Sequence, residues 1–239
     1  MNVGGVVDID ISEVPAGHQI LPCIMQRNIR LGAQPGKHKF KSRCVINGSR
    51  HSETYSSTPH STAVRLLHAL GCQDGHTFRQ GDVSQAFLQS TPFLPHEVLY
   101  AYPPSGHRHD GNHVWRVLKP VYGLGVAPAR WLATLSSFLL EHGWRKAADE
   151  DTFWVYERGD VLMRAVFWVD DWQMSTNDEA TADWWMKTLF ERFDGHEVSP
   201  DTVTEHYDSE NCTRALAENG HVLVIITGTI LGRCVLGMQ

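Results

Sequence analysis

Apolar positions recur along the chain with two periods, and each period predicts a kind of element. Over residues 20–45, β-branched and basic residues surround Gly32-Ala33-Gln34-Pro35-Gly36, the pattern of a β-hairpin with a basic rim. Thr58-Pro59-His60-Ser61 then opens a helix with the stripe Ala63, Leu66, Leu67 and Leu70, closed by Gly71 and Gly75. Strand-like runs follow at 76–83, 98–102 and 113–117, with a Pro/Gly/His loop between the last two. Residues 127–142 carry Trp131, Leu132, Leu135, Phe138 and Leu139 at helical spacing, and Gly143 ends that helix. Strands at 152–157 and 161–169 flank Arg158-Gly159-Asp160 as a hairpin, and 178–193 is another amphipathic helix. Beyond Gly195 the pattern fades. Helices interleaved with antiparallel hairpins predict an α+β fold, a sheet layered with helices.

Composition narrows the class. The 239 residues suit one large domain or two small ones, and 42% hydrophobic content is enough to bury a core. The apolar run from Val222 to Leu231 is broken by Thr227, Gly228 and Thr229 and is too short to span a bilayer, so no membrane partner is expected. The N-terminal stretch carries acids and no basic region, which gives no sign of a signal peptide. Five widely spaced cysteines without a C-x-x-C pair predict neither a disulfide framework nor a zinc ribbon, and point to an intracellular compartment.

A net charge of −6 argues against a nucleic-acid partner until its distribution is considered. Between Val14 and Ser52 stand seven basic residues (Arg27, Arg30, Lys37, Lys39, Lys41, Arg43, Arg50) and no acid. Between Asp149 and Glu210 there are 17 acids and four bases. Such a chain offers one region to phosphates and another to cations or solvent; taken alone, the same pattern also describes a solvated hairpin followed by solvated helices.

The sharpest chemical feature is Val166-Phe167-Trp168-Val169-Asp170-Asp171-Trp172, two adjacent carboxylates at the end of an apolar strand. Like charges repel and burial penalises both, so a divalent cation is the usual remedy, although Asp-Asp is also an ordinary polar hairpin tip. Neighbouring strand residues point to opposite faces, so a tight turn is needed for both acids to address one site. Gly81-Asp82-Val83-Ser84-Gln85-Ala86-Phe87-Leu88 supplies a third acid at the end of another β-type run. One acid from one strand and two from a distant hairpin suit two-metal phosphoryl transfer, in which cations roughly 3.5–4 Å apart stabilise the attacking and leaving oxygens. Mg2+ fits an all-oxygen donor set.

Asp82-Val83-Ser84-Gln85-Ala86-Phe87-Leu88, Val121-Tyr122-Gly123-Leu124 through Ala127-Pro128, and Trp168-Val169-Asp170-Asp171 occur in an order and spacing that resembles copia-type retrotransposon reverse transcriptases. That family's blocks are D-V-x-x-A-F-L, L-Y-G-L-K-Q-A-P-R-x-W and Y-V-D-D. Lys41-Ser42-Arg43-Cys44-Val45 with Gly48, Glu53-Thr54-Tyr55-Ser56, Val98-Leu99-Tyr100 with Pro103-Pro104, and Asp149 with Phe153 are similar to further family blocks. The likeness runs from about residue 15 to 195. It implies a reverse-transcriptase-like palm with partial β-rich fingers, residues 1–14 as a tail and 196–239 as a divergent segment. No complete thumb, ribonuclease H, integrase or protease segment is read, so a fingers-and-palm fragment is expected, in a cytoplasmic particle or the nucleus.

The resemblance implies roles for single residues. Asp82, Asp170 and Asp171 would bind two Mg2+ ions, with Mn2+ as a substitute. Lys41 and Arg43 in the fingers and the backbone around Gln85 and Ala86 would meet the triphosphate. Phe87 would lie beneath the sugar and exclude a ribose 2′-OH, Tyr122 and Gly123 would face the nascent base pair, and Trp168 and Val169 would lie near primer and template. The partners would be an RNA or DNA template with its primer, and a dNTP. This chain departs from the family at three places: Trp168 stands where Tyr is usual, Gly125-Val126 replaces Lys-Gln, and Ala129-Arg130 replaces Arg-Ala. An F-L-G-I-type strand after Gly195 is not evident either. Three readings therefore stay open: a working RNA-directed DNA polymerase, a catalytically silent nucleic-acid-binding domain, and a different two-metal phosphotransferase with nuclease or cyclase products. Other constellations drop out: His107-Arg108-His109 with His113 sits in loop composition without a cysteine, Trp184-Trp185 reads as sheet packing, and no P-loop or hydrolase motif is present.

Overall fold

The structure is a computed structural model that describes residues 4–31, 38–48, 60–107, 111–148 and 150–198, and beyond them the backbone of four strands. In chain order the first elements are β1 (Val6–Asp10), β2 (Ile20–Leu21), β3 (Cys23–Leu31), β4 (His38–Ile46), α1 (Ser61–Gln73), β5 (Thr77–Val83), β6 (Leu99–Ala101) and β7 (His113–Val117). Then come α2 (Val126–Glu141), β8 (Trp144–Lys146), β9 (Phe153–Arg158), β10 (Val161–Trp168), β11 (Asp171–Thr176), α3 (Glu179–Arg192) and β12 (Gly195–Glu197). The last four strands are β13 (Thr204–Asp208), β14 (Asn211–Glu218), β15 (His221–Ile226) and β16 (Thr229–Val235). The expected α+β class holds. The chain forms two compact units, residues 1–56 with 87–135 and residues 57–86 with 136–239, the second boundary falling inside α2.

The first unit holds a sheet of order β1-β7-β6-β2 and the separate β3–β4 hairpin. The hairpin begins later than its apolar pattern suggests because Pro22, which has no N–H to give a ladder, separates β2 from β3. Its carbonyl instead accepts from Asn47 N at 2.8 Å. β2 goes its own way and pairs parallel with β6. Part of the segment expected as a tail is built into this sheet, since Val6 to Asp10 pair with Val117 to His113. The core gathers Leu21, Ile46, Ala101, Val117, Val121, Leu124 and Ala127, with Phe87 and Leu88 packed against it.

The second unit is built on a six-stranded sheet of order β12-β5-β11-β10-β9-β8. α1 packs on β10 and β11, and its Ala63 and Leu67 share a buried cluster with Val166 of β10 and Phe153 of β9. Trp185 of α3 lies 5.1 Å from Trp144 and 5.6 Å from Phe138, and Trp144, Trp154, Trp172 and Trp185 are all fully buried. Truncating one such aromatic to alanine costs about 3–5 kcal/mol. α3 starts sharply because the Asp178 carboxylate caps it, accepting from Thr181 N at 2.7 Å. Hydrogen bonding from the Thr181 side chain first, and then from its backbone N–H, holds the Asp178 carboxyl below its usual range. α1 has no such side-chain cap at His60, and Gly71, expected to help close it, lies inside it against Phe78.

Three further regions differ from expectation. β11 was legible only as far as its acids. β12 joins the sheet beside β5 although Gly195-His196-Glu197 has no apolar signal. The stretch from 204 to 235 forms an antiparallel four-stranded sheet of its own, β13-β14-β15-β16. The turn Gly32 to Gly36, the helix opening Thr58-Pro59, the motif Glu53-Thr54-Tyr55-Ser56, Arg108-His109 and Asp149 lie outside the described residues.

Candidate active site

Two strands bring the acids together in the second unit. β11 pairs antiparallel with β5 in a register that sets Asp171 directly opposite Asp82, with Gln173 opposite Gln80 and Ser175 opposite Phe78. Directly paired residues share a face of the sheet, with Cβ atoms about 4.5–5.5 Å apart. Asp170 lies in the two-residue turn that joins Trp168 of β10 to Asp171, and its carbonyl accepts from Val83 N at 2.6 Å. Asp170 and Asp171 thus stand in and just after a tight turn. It is made at a conformational cost, since Val169 has φ 58° and a β-branched residue rarely enters that region.

The close approach of the strands depends on Gly81. A Cβ there would fall 2.5 Å from both the His196 carbonyl oxygen and the Trp172 ring, so any larger residue pushes β5 off its neighbours. His196 on β12 stands opposite Asp82, its Nδ1 3.8 Å from Oδ1. Among the described residues no three His, Cys, Asp or Glu side chains form a group that could hold a metal ion. The arrangement is a cross-strand carboxylate pair with the third acid in the adjoining turn. All its side-chain donors are hard oxygens, the chemistry that suits Mg2+ held by one or two carboxylates, with water and substrate phosphate completing the sphere.

Behind the acids, on the same face by strand alternation, lies a polar chain that pattern reading did not find. His68 of α1, 5% exposed, donates from Nε2 to Gln173 Oε1 at 2.9 Å, and Gln173 donates to Gln80 at 3.4 Å. Gln173 and Gln80 each stand two residues from an acid. In the sequence Gln173 reads as an ordinary solvent-facing strand position, so nothing there marks it as buried.

Other expected residues fall in separate places. Gln85 adopts φ 51° in the turn after β5, Ser84 N donates to the Asp194 carbonyl at 2.8 Å, and Ala86 is buried at the start of a 3-10 turn. Trp168 packs against the α1 cluster of Ala63, Leu67 and Val166. In the first unit, the Tyr122 ring contacts both Phe87, at 5.1 Å between ring centroids, and the Arg43 guanidinium, 5.3 Å from the ring centroid. Tyr122 is fixed there because its carbonyl accepts from Ile46 N at 2.9 Å. Gly123 has φ 92°, and a Cβ at that position would collide with the Ile46 carbonyl. Lys41 is half-buried on the same hairpin face as Arg43.

The reverse transcriptase (RNA-dependent DNA polymerase) family profile matches residues 9–203, and the chain belongs to that family. Within it the chain is of the copia type. The retrovirus-related Pol polyprotein from transposon RE2 of Arabidopsis thaliana is 30% identical over 178 residues, 72% of this chain and 12% of that protein. The corresponding polyprotein from transposon RE1 is 28% identical over 192 residues, 77% of this chain and 13% of its own length. The chain thus spans about an eighth of these relatives. A solved structure of telomerase from Candida albicans with a fragment of telomeric RNA overlays with a TM-score of 0.46 at 10% identity, covering 94% of this chain and 46% of that one.

Proposed function

We propose that this reverse transcriptase domain extends a primer by nucleotidyl transfer, with Asp82, Asp170 and Asp171 as its catalytic carboxylates. The observation that carries the reading is the register pairing Asp171 with Asp82, one strand end from the turn that holds Asp170. In the reaction the primer 3′-hydroxyl oxygen bonds to the α-phosphorus of a template-matched dNTP, the bond to the β-phosphate oxygen breaks, and pyrophosphate leaves while the hydroxyl proton passes to solvent. No protein nucleophile takes part, so rate comes from positioning and electrostatics. Two Mg2+ ions, held by Asp82 and Asp171 with Asp170 in support, would neutralise charge on the attacking and leaving oxygens.

The chain's own groups have distinct tasks. Gly81 and the β5–β11 ladder set the spacing of the acids. Gln85 and Ala86 offer backbone N–H groups to the triphosphate, and Lys41 and Arg43 offer cations to it. Phe87 excludes a ribose 2′-OH by bulk. Tyr122 and Gly123 contact the nascent pair, and Trp168 and Val169 lie near the primer. In this reading fingers and palm run from β1 through β12, and the separate β13–β16 sheet is an appended segment.

Primer extension on an RNA template with Mg2+ tests the proposal. The wild-type chain is expected to extend the primer, and Asp82→Asn and Asp171→Asn to lose incorporation by at least about a thousandfold. Both variants are expected to melt no lower than wild type in metal-free buffer, because each removes a like charge from a directly paired position. Wild-type-like incorporation in either variant contradicts the site. A folded wild-type chain that binds duplex with salt-sensitive affinity and extends nothing supports the silent nucleic-acid-binding reading instead.

A further inference from the structure

Away from the acids, two nucleophilic side chains meet at the base of the β3–β4 hairpin. The register places Met25 opposite Cys44 and Cys23 opposite Ile46, so the two cysteines are diagonal neighbours on one face, the face opposite Lys41 and Arg43. Their sulfurs are 2.8 Å apart, closer than a non-bonded sulfur contact and within about 1 Å of the ~2.05 Å of a disulfide bond. Both thiols are half-buried, and Cys23 also packs on the core cluster of Ile46 and Leu21.

We propose that Cys23 and Cys44 are a redox-active dithiol that closes to an intrachain disulfide by exchange with a small-molecule disulfide of the glutathione type. Burial, together with the adjoining Cys44 sulfur, pushes the Cys23 thiol up to about 12, so Cys23 is a thiol at neutral pH and the first attack falls to Cys44. The Cys44 thiolate bonds to one sulfur of the small disulfide and expels a thiolate, leaving a mixed disulfide on Cys44. The Cys23 sulfur then bonds to the Cys44 sulfur, its proton passes to solvent, and the second small thiolate leaves. Two protein thiols are oxidised and one small disulfide is reduced to two thiols. The product links β3 to β4 one residue from Arg43, so it stiffens the strand that carries Arg43 and Lys41. This inference does not rest on the polymerase reading.

Peptide mapping of the folded chain after incubation with oxidised glutathione, without reductant, tests it. The expected product joins the Cys23 peptide to the Cys44 peptide with the loss of two hydrogen masses, and dithiothreitol reverses it. In Cys23→Ser the resolving sulfur is gone, and Cys44 is expected to retain glutathione. Amide exchange across β3–β4 is expected to slow in the oxidised wild-type chain. Stable glutathione on both cysteines of one molecule, no reaction at either, or cross-links that pass through other cysteines while Cys23 and Cys44 stay reduced would each overturn the proposal. The wild-type mapping stands by itself if the serine variant folds poorly.

Discussion

Phe87 meets the Tyr122 ring in a T-shaped contact, and the Arg43 guanidinium also lies over that ring, so Tyr122 joins Phe87 to the basic hairpin. If Phe87 excludes ribose by bulk, Phe87→Ala lowers the preference for dNTP over rNTP by at least about tenfold, the scale on which a pocket reads a few atoms of volume. Single-nucleotide incorporation with matched dNTP and rNTP measures it, and an unchanged ratio removes Phe87 from that role. The acids stand out in the sequence because carboxylates ending apolar runs are costly and therefore conspicuous, whereas Phe87 was singled out only by the family resemblance. His196 could not: nothing in Gly195-His196-Glu197 shows that β12 will lie against β5 and bring its imidazole to Asp82. The Cys23–Cys44 contact was hidden for the same reason, since residues 21 apart meet only once strand register is known.

β11 shows where pattern reading stops. Its alternation of Trp172 and Met174 with Gln173 and Ser175 resembles a strand with one wet face, yet all four are buried, because α1 covers the polar side. The helices and the strands β5, β7, β9 and β10 were legible within a residue or two, since their apolar stripes match their periods, whereas β1 and β14 to β16 were not read. β2, β8 and β12 are too short to show a period, and β11 carries a polar row that only α1 explains. Gln173→Leu leaves the buried His68 imidazole without its acceptor, which costs about 1–3 kcal/mol. In the double variant with His68→Leu the polar chain is replaced by apolar contact, and a double-mutant cycle by chemical denaturation is expected to show a coupling of about 1 kcal/mol or more. Additive losses would mean that the two side chains do not act as a pair.

Across the whole molecule the charge split is the feature that composition concealed, and it fits a chain that handles phosphates and cations in different regions. Stability should follow pH through His76, whose imidazole is held below its usual pKa first by burial and then by the Arg164 guanidinium, with Asp74 opposing. Its folded-state pKa is depressed, so its contribution is present above the unfolded value of about 6.5 and is lost as pH falls through the window beneath it, where the unfolded chain binds more protons. His76→Gln is expected to flatten the melting temperature over that window, and an unchanged slope would place the titration elsewhere. The relation of Asp82 to Asp171 could be proposed from spacing and likeness, but its geometry came only with the β5–β11 register. Paramagnetic broadening of backbone amide signals by substoichiometric Mn2+ tests whether that geometry holds a cation. Signals of residues 82–83, 169–171 and 196 should fade first, and Asp82→Asn should abolish the effect. Fading that begins at the acids of 150–160 or 178–183 and leaves 82 and 171 sharp would contradict the account.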